Sequence, residues 1–340
     1  MIAIGRHAAT VTLAVILLVP VVPVAWAETP AILIFGSANE IIAEYKSAGF
    51  WGELEEGSAM DVPPYLTVVT SPTWDKDSAS LPVEVKKELF YRSLLPLILY
   101  SNETILENRS RLEKIADAPE GAEREWLAGL AAHYGLLKED GALPKGDSLS
   151  AVIAELMMRV DAVPPSLALG QAAYESGYGT SRFAREGNAL FGQWTYGGKG
   201  MQPRQKRASK GNYGVAAYDW PLESVRGYMR NLNTHRAYQE LRDKRAAARS
   251  NARVPTGAEL ADTLTSYSEK GAVYVKTLKG IMRANELALA DNATLQAGPS
   301  ILIIDVPGKE EVVKMKAEIA RLRETDQLDK ILADMGVDFD

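Results

Sequence analysis

Apolar positions along the chain fall into two kinds of run. Ala31 to Phe35, Tyr65 to Thr70 (entered through Pro63-Pro64) and Ile301 to Val306 are short, nearly unbroken and rich in branched or aromatic residues, which predicts buried strands. Nearly everything else follows the 3.6-residue period. A short helix is expected over Asn39 to Phe50. A long one is expected from Val83 to Ile115, carried by Leu89, Phe90, Leu94, Leu97, Ile98, Ile105 and Leu112, with Pro96 kinking or splitting it. Glu123 to Leu137 places Trp126, Leu127, Leu130 and Tyr134 on one face. Further helices are expected over Ser148 to Val160, after Pro164-Pro165, and over Leu222 to Leu232, Ala237 to Arg249, Ala258 to Tyr267 and Val273 to Leu289. Glu310 to Met335 predicts a charged, solvated helix.

Two stretches break the pattern. Ser71 to Pro82 is polar and predicts a linker. Residues 176–218 hold 9 glycines and several aromatics, so loops and short hairpin structure are expected there. The fold class is therefore α+β and mainly α: a helical domain with a small β lobe, plus a small accessory α/β element in which Ile32–Phe35 and Ile301–Asp305 join the two ends of the chain. The expected division is 28–82 as an accessory region and linker, 83–290 as the main domain and 299–340 as a strand–helix extension.

Residues 1–27 stand apart. Arg6 and His7 precede an uncharged apolar stretch closing on Ala25-Trp26-Ala27, the small-x-small pattern of a signal-peptidase site. From Val11 to Trp26 the run is short for a span of about 20 residues and carries Pro20 and Pro23, so cleavage is expected rather than stable membrane insertion. That places the mature protein in a periplasm or outside the cell. The 340 residues hold no cysteine, which excludes thiol nucleophiles, Cys-ligated zinc and disulfides. A net charge of -6 argues against a nucleic-acid partner. Among the three histidines, His133 reads as a packing or surface residue and His235 as a capping residue. No metal site, serine triad, phosphate loop or other cofactor motif follows from the sequence.

The most informative segment runs from Val163 to Gly179. Pro164-Pro165 opens a helix and Gly177 and Gly179 close it, so Glu175 falls in the last turn with Gln171 on the same face. A carboxylate there opposes the helix macrodipole, and the aromatic neighbours Tyr174 and Tyr178 disfavour its charge. Both effects keep a proton on the carboxyl toward neutral pH, the state a general acid needs. An ordinary exposed glutamate before a glycine cap is the alternative. The text that follows, Thr180 to Trp194 and then Tyr196, Tyr213, Tyr218 and Trp220, supplies enough flat faces for a carbohydrate groove, or for a small aromatic core under the β lobe.

Glu175-Ser176-Gly177-Tyr178-Gly179, Ser181 and Asn188-Ala189-Leu190-Phe191-Gly192 together resemble the glucosaminidase domain of glycoside hydrolase family 73, the mannosyl-glycoprotein endo-β-N-acetylglucosaminidase-like enzymes. Lys86 to Phe90 through Arg109, Asn231 to His235, and Tyr267 to Gly271 with Tyr274-Val275 extend the resemblance to the bacterial Bax-like branch, over about residues 83–287. The resemblance implies a lysozyme-like fold acting on peptidoglycan glycan strands, with Glu175 as general acid; a monomer is expected. It implies that Tyr267 faces that acid; a core tyrosine at a helix–loop junction is the alternative. A groove lined by Gln171, Tyr178, Asn188, Phe191, Trp194, Tyr213 and Tyr218 is expected.

The match thins at the second carboxylate. Between Glu186 and Asp219 there is no acid at all, while Lys199, Arg204, Lys206, Arg207 and Lys210 make the lobe basic. Glu186, Asp219, a residue of another loop and the substrate's own N-acetyl carbonyl remain open as the second group. Lytic transglycosylase or muramidase chemistry, and a glycan-binding module without catalysis, are the competing functions.

Overall fold

A computed structural model describes residues 31–52, 60–115, 119–138, 141–196, 200–202 and 213–336. The leader-like residues 1–27 and Arg204, Lys206, Arg207, Lys210 and Lys199 of the basic stretch lie outside the described residues.

The fold is α+β and mainly α, a lysozyme-like helical domain with a small β lobe. Strand β1 (Ala31–Phe35) leads into helix α1 (Ala38–Ser47), whose N-cap Ser37 accepts from the Glu40 N–H. The short β2 (Asp61–Val62) and β3 (Tyr65–Val69) follow, then a single turn α2 (Trp74–Asp77) inside the stretch expected to be a linker. That stretch is packed rather than loose. The Trp74 indole donates to the Tyr178 carbonyl at 3.0 Å, and Arg185 pairs with Asp75 at 3.3 Å and donates to the Pro72 carbonyl.

Helix α3 (Val83–Glu113) runs for 31 residues through Pro96 without ending, so that of the expected kink or split the split is absent. An internal proline costs about 3 kcal/mol. Leu94, Leu95, Leu97 and Ile98 around it are all buried, and each side chain contributes roughly 1.5–3 kcal/mol on burial, so packing outweighs the lost hydrogen bond. Helices α4 (Gly121–His133) and α5 (Asp147–Arg159) pack on the far half of α3 around a second apolar cluster of Leu112, Leu127, Leu130, Leu149 and Leu156. Helix α6 (Pro165–Ser176) follows, then the short α7 (Arg182–Gly187) and an antiparallel pair, β4 (Trp194–Tyr196) with β5 (Tyr213–Val215). Helices α8 (Pro221–Thr234), α9 (Gln239–Ser250), α10 (Gly257–Ala261) and α11 (Ala272–Ala284) complete the helical body.

After β6 (Thr294–Leu295) the chain returns to the beginning. β7 (Ile301–Asp305) inserts between β1 and β3 as the middle strand of a parallel sheet, with Ala31 opposite Ile301 and Phe35 opposite Asp305. The expected pairing of Ile32–Phe35 with Ile301–Asp305 is thus present. Parallel strands are stable when covered on both faces. Here α3 and α8 pack against β3 and α1 and α12 (Gly308–Glu324) against β1. The expected last helix is two, because Asp326 takes a left-handed conformation (φ 53°) between α12 and α13 (Gln327–Asp334), and α13 buries Leu328 and Leu332. None of the described helices is long and apolar enough to cross a membrane.

Candidate active site

Helix α6 is the axis of the site, and nearly all of it is buried. Its entry is fixed by Asn102, whose side chain exchanges two hydrogen bonds with the Val163 backbone (2.8 and 2.9 Å). The Asp291 carboxylate also caps its first turn, accepting from the Ser166 N–H and hydroxyl and from the Gly257 N–H. Its exit is the left-handed Gly177 (φ 58°), a conformation glycine adopts without a Cβ penalty. A helix pinned at both ends delivers Glu175, in its last turn, to a fixed place.

Glu175 is partly buried. Loss of water lifts its carboxyl from 4.5 to about 7, against the opposing pull of a hydrogen bond from Tyr274 and the charge of Lys270. Gly192 lies directly against it: a Cβ built there would stand 3.1 Å from Oε2, at a backbone φ of +61°. Tyr267 and Tyr238 feel the same carboxyl, and burial raises both phenols above their ordinary range. The rings form two groups. Tyr267 stacks on Tyr274 (5.6 Å, 8°), Tyr174 meets Tyr274 edge-on (5.2 Å), and Phe191 stacks on Tyr228 (4.0 Å, 9°). The Tyr267 hydroxyl donates to the Phe191 carbonyl at 2.9 Å, tying the 188–193 loop to the residues before α11.

The expected groove residues separate into two groups. Trp194 is 46 % exposed and stacks on the buried Tyr213 ring at 5.1 Å. Tyr267, next to Glu175, is partly exposed, and so is Tyr218, whose hydroxyl donates to Gln193 at 2.6 Å. The others lie beneath the surface or are turned away from it. Gln171 is wholly buried and Phe191 is 1 % exposed, so neither side chain can line a groove. Tyr178, at φ 58°, turns onto Phe90 and Tyr91 of α3 rather than toward Glu175. Asn188 (φ 47°) donates to the Tyr218 and Asp219 carbonyls and holds the loop. Tyr274 was missing from the expected set, although its place seven residues after Tyr267 was a usable signal.

Neither second-acid candidate acts on Glu175. Glu186 is exposed and paired with Arg182 at 3.0 Å; Asp219 is exposed and presents its backbone N–H to Glu223. Asp305 is the other carboxyl that burial lifts to about 7. It accepts from the Ser71 N–H at the end of the parallel sheet and borders an apolar cavity of about 80 Å³, too small for a sugar. Among the described residues no three His, Asp or Glu gather as a metal ion would require.

A family model described as mannosyl-glycoprotein endo-beta-N-acetylglucosaminidase matches residues 151–287, the span from α5 to the 3₁₀ turn after α11. Protein bax of Escherichia coli (strain K12) is 32% identical over 209 residues, covering 60% of this chain and 72% of that protein. No solved structure matches. The chain therefore belongs to the glucosaminidase family of glycosidases, which act on glycans, and within it to the Bax-like branch.

Proposed function

We propose that the protein is an exported endo-β-N-acetylglucosaminidase that cleaves β-1,4 N-acetylglucosaminyl bonds of peptidoglycan, with Glu175 as general acid. The observation that carries this reading is a partly exposed carboxyl at the end of a rigid buried helix, lifted to about 7 so that about half of it keeps its proton at neutral pH. In the reaction Glu175 gives its proton to the glycosidic oxygen as the bond to the leaving sugar breaks, and positive charge develops on the ring. Tyr267, anchored through its hydroxyl and coupled electrostatically to the acid, holds one wall of the site, and Trp194 on Tyr213 offers a flat surface for a neighbouring sugar. The stretch from Gly187 to Tyr218 contains no acid, so the N-acetyl carbonyl of the substrate is assigned as the nucleophile. The choice of peptidoglycan rests on the family resemblance together with the leader-like residues 1–27.

The test is digestion of purified cell wall by the folded protein and by Glu175→Gln, with the released muropeptides weighed. Fragments with reducing N-acetylglucosamine ends from the wild type, and at least a thousandfold fewer from the variant, are expected. The missing second acid equally suits a lytic transglycosylase, and anhydro-muramyl ends in the same spectrum would establish that instead. Binding of wall without any release would leave a glycan-binding module.

A further inference from the structure

Behind Glu175 lies a chain of three wholly buried polar side chains that no step of the proposed reaction uses. The Tyr228 hydroxyl donates to Gln171 Oε1 at 2.7 Å, and Gln171 Nε2 donates to the Tyr274 hydroxyl oxygen at 2.9 Å. The Tyr274 phenol is in turn the hydrogen-bonding side chain that acts on the Glu175 carboxyl, opposing the rise in its pKa. All three side chains have no exposed surface. Their rings cannot swing to other partners, since Tyr228 is clamped by Phe191 and Tyr274 by Tyr174 and Tyr267.

We propose that Gln171 is a positioning residue for the acid: its amide fixes which way the Tyr274 O–H points, and so which oxygen of Glu175 accepts and which carries the transferable proton. An amide has one accepting and one donating end. With the carbonyl occupied by Tyr228, the NH₂ faces the Tyr274 oxygen, and that oxygen cannot use its own proton toward Gln171. The proton is directed at Glu175. One carboxyl oxygen is thereby occupied as an acceptor, and the acid proton is left to the other. The remaining groups facing the carboxyl are Lys270, whose ammonium also donates to Tyr174 at 2.9 Å, and the phenols of Tyr267 and Tyr238. The Tyr267 hydroxyl is committed to the Phe191 carbonyl, which leaves Tyr274 as the phenol that acts on the acid by hydrogen bonding.

This inference deepens the general-acid reading and rests on it, so its test begins with a measurement that needs no substrate. Glu175 is titrated by NMR in protein carrying carboxyl-¹³C glutamate, in the wild type, Tyr274→Phe, Gln171→Met and the double variant; Glu175→Gln identifies the resonance. Removing a donor from the charged form raises a carboxyl pKa, so Tyr274→Phe is expected to move the Glu175 midpoint up by about one pH unit. Gln171→Met, which touches no atom of Glu175, is expected to move it the same way by at least half as much. The double variant should go no further than Tyr274→Phe, as members of one relay are not additive. The alkaline limb of the wall-digestion profile should follow these midpoints, with kcat falling more than KM rises. Rescue toward the wild-type midpoint is expected in Gln171→Asn with added volume opposite it, and not in Gln171→Met.

A Gln171→Met protein whose Glu175 midpoint matches the wild type, while Tyr274→Phe shifts it, would overturn the role of Gln171 and leave it a packing residue. No shift in Tyr274→Phe would overturn the relay altogether. Should Gln171→Met fail to fold, Tyr228→Phe keeps the ring stack on Phe191 and removes only the hydroxyl; a shift in the same direction is expected, and none overturns the proposal. Shifted midpoints in a protein that releases no fragments would uphold the relay and defeat the enzymatic reading, so the two failures are distinguishable.

Discussion

Replacing Glu175 by glutamine should make the protein more stable above neutral pH while removing its activity. The folded protein holds the Glu175 proton more tightly than the unfolded chain does, since burial lifts the carboxyl from 4.5 to about 7. The stability this contributes is complete below about pH 4.5, declines as pH rises, and is lost once pH passes about 7. At about 1.4 kcal/mol for each pH unit of separation the full effect is roughly 3 kcal/mol, and screening at the partly exposed edge of the side chain lowers it to about 2–3 kcal/mol. Glutamine has nearly the same shape, keeps an oxygen to accept from Tyr274 and never ionises, so it escapes this loss. Asp305 has its own descending limb, from 3.8 to about 7, but wild type and variant share it and it cancels in their difference. The assay is urea unfolding of both proteins at pH 5 and pH 8.5. The two should lie within about 1 kcal/mol of each other at pH 5, and the variant should lead by an additional 2 kcal/mol or more at pH 8.5. A difference that does not change with pH would refute the claim that Glu175 is held protonated by its surroundings, and with it the physical basis for a general acid at this position.

Two further outcomes are expected. Asp161 is buried among Arg109, Arg245 and Arg249, with Arg245 Nε at 3.3 Å, so Asp161→Asn should destabilise the protein by about 3–5 kcal/mol by stranding the buried Arg245; Asp161→Asn combined with Arg245→Met should recover part of that in thermal unfolding. Gly192→Ala places a methyl in a left-handed backbone position and 3.1 Å from Glu175 Oε2, and should lower stability by about 1 kcal/mol and kcat on cell wall by about tenfold, whereas alanine at the exposed, left-handed Gly298 should cost stability alone.

How much of this site could be read from the chain depends on which physical rule each residue obeys. The ends of α6 were legible because local chemistry sets them: Pro164-Pro165 favours a start and Gly177 favours a left-handed stop whatever surrounds them. Glu175 in the last turn followed directly. The pairing of the chain ends was legible for a similar reason, since two short apolar runs of branched residues need covered partners. That β7 would take the middle position was not, because strand order is decided by which helices cover which face. Helical spacing correctly put Gln171 on the face of Glu175, yet it cannot say whether that face points to solvent or to the core. Adjacency misled in the opposite way at Tyr178, where a positive φ rotates the side chain onto α3, away from the residue it nearly touches in sequence. The groups acting on Glu175 instead come from Gly192, Tyr267, Lys270 and Tyr274, brought in by two other segments. A raised carboxyl pKa is a property of desolvation, and desolvation is tertiary. The sequence can therefore nominate the acid from its place in one helix, whereas the hydrogen-bond relay that aims its proton exists only once α6, α8 and α11 have packed together.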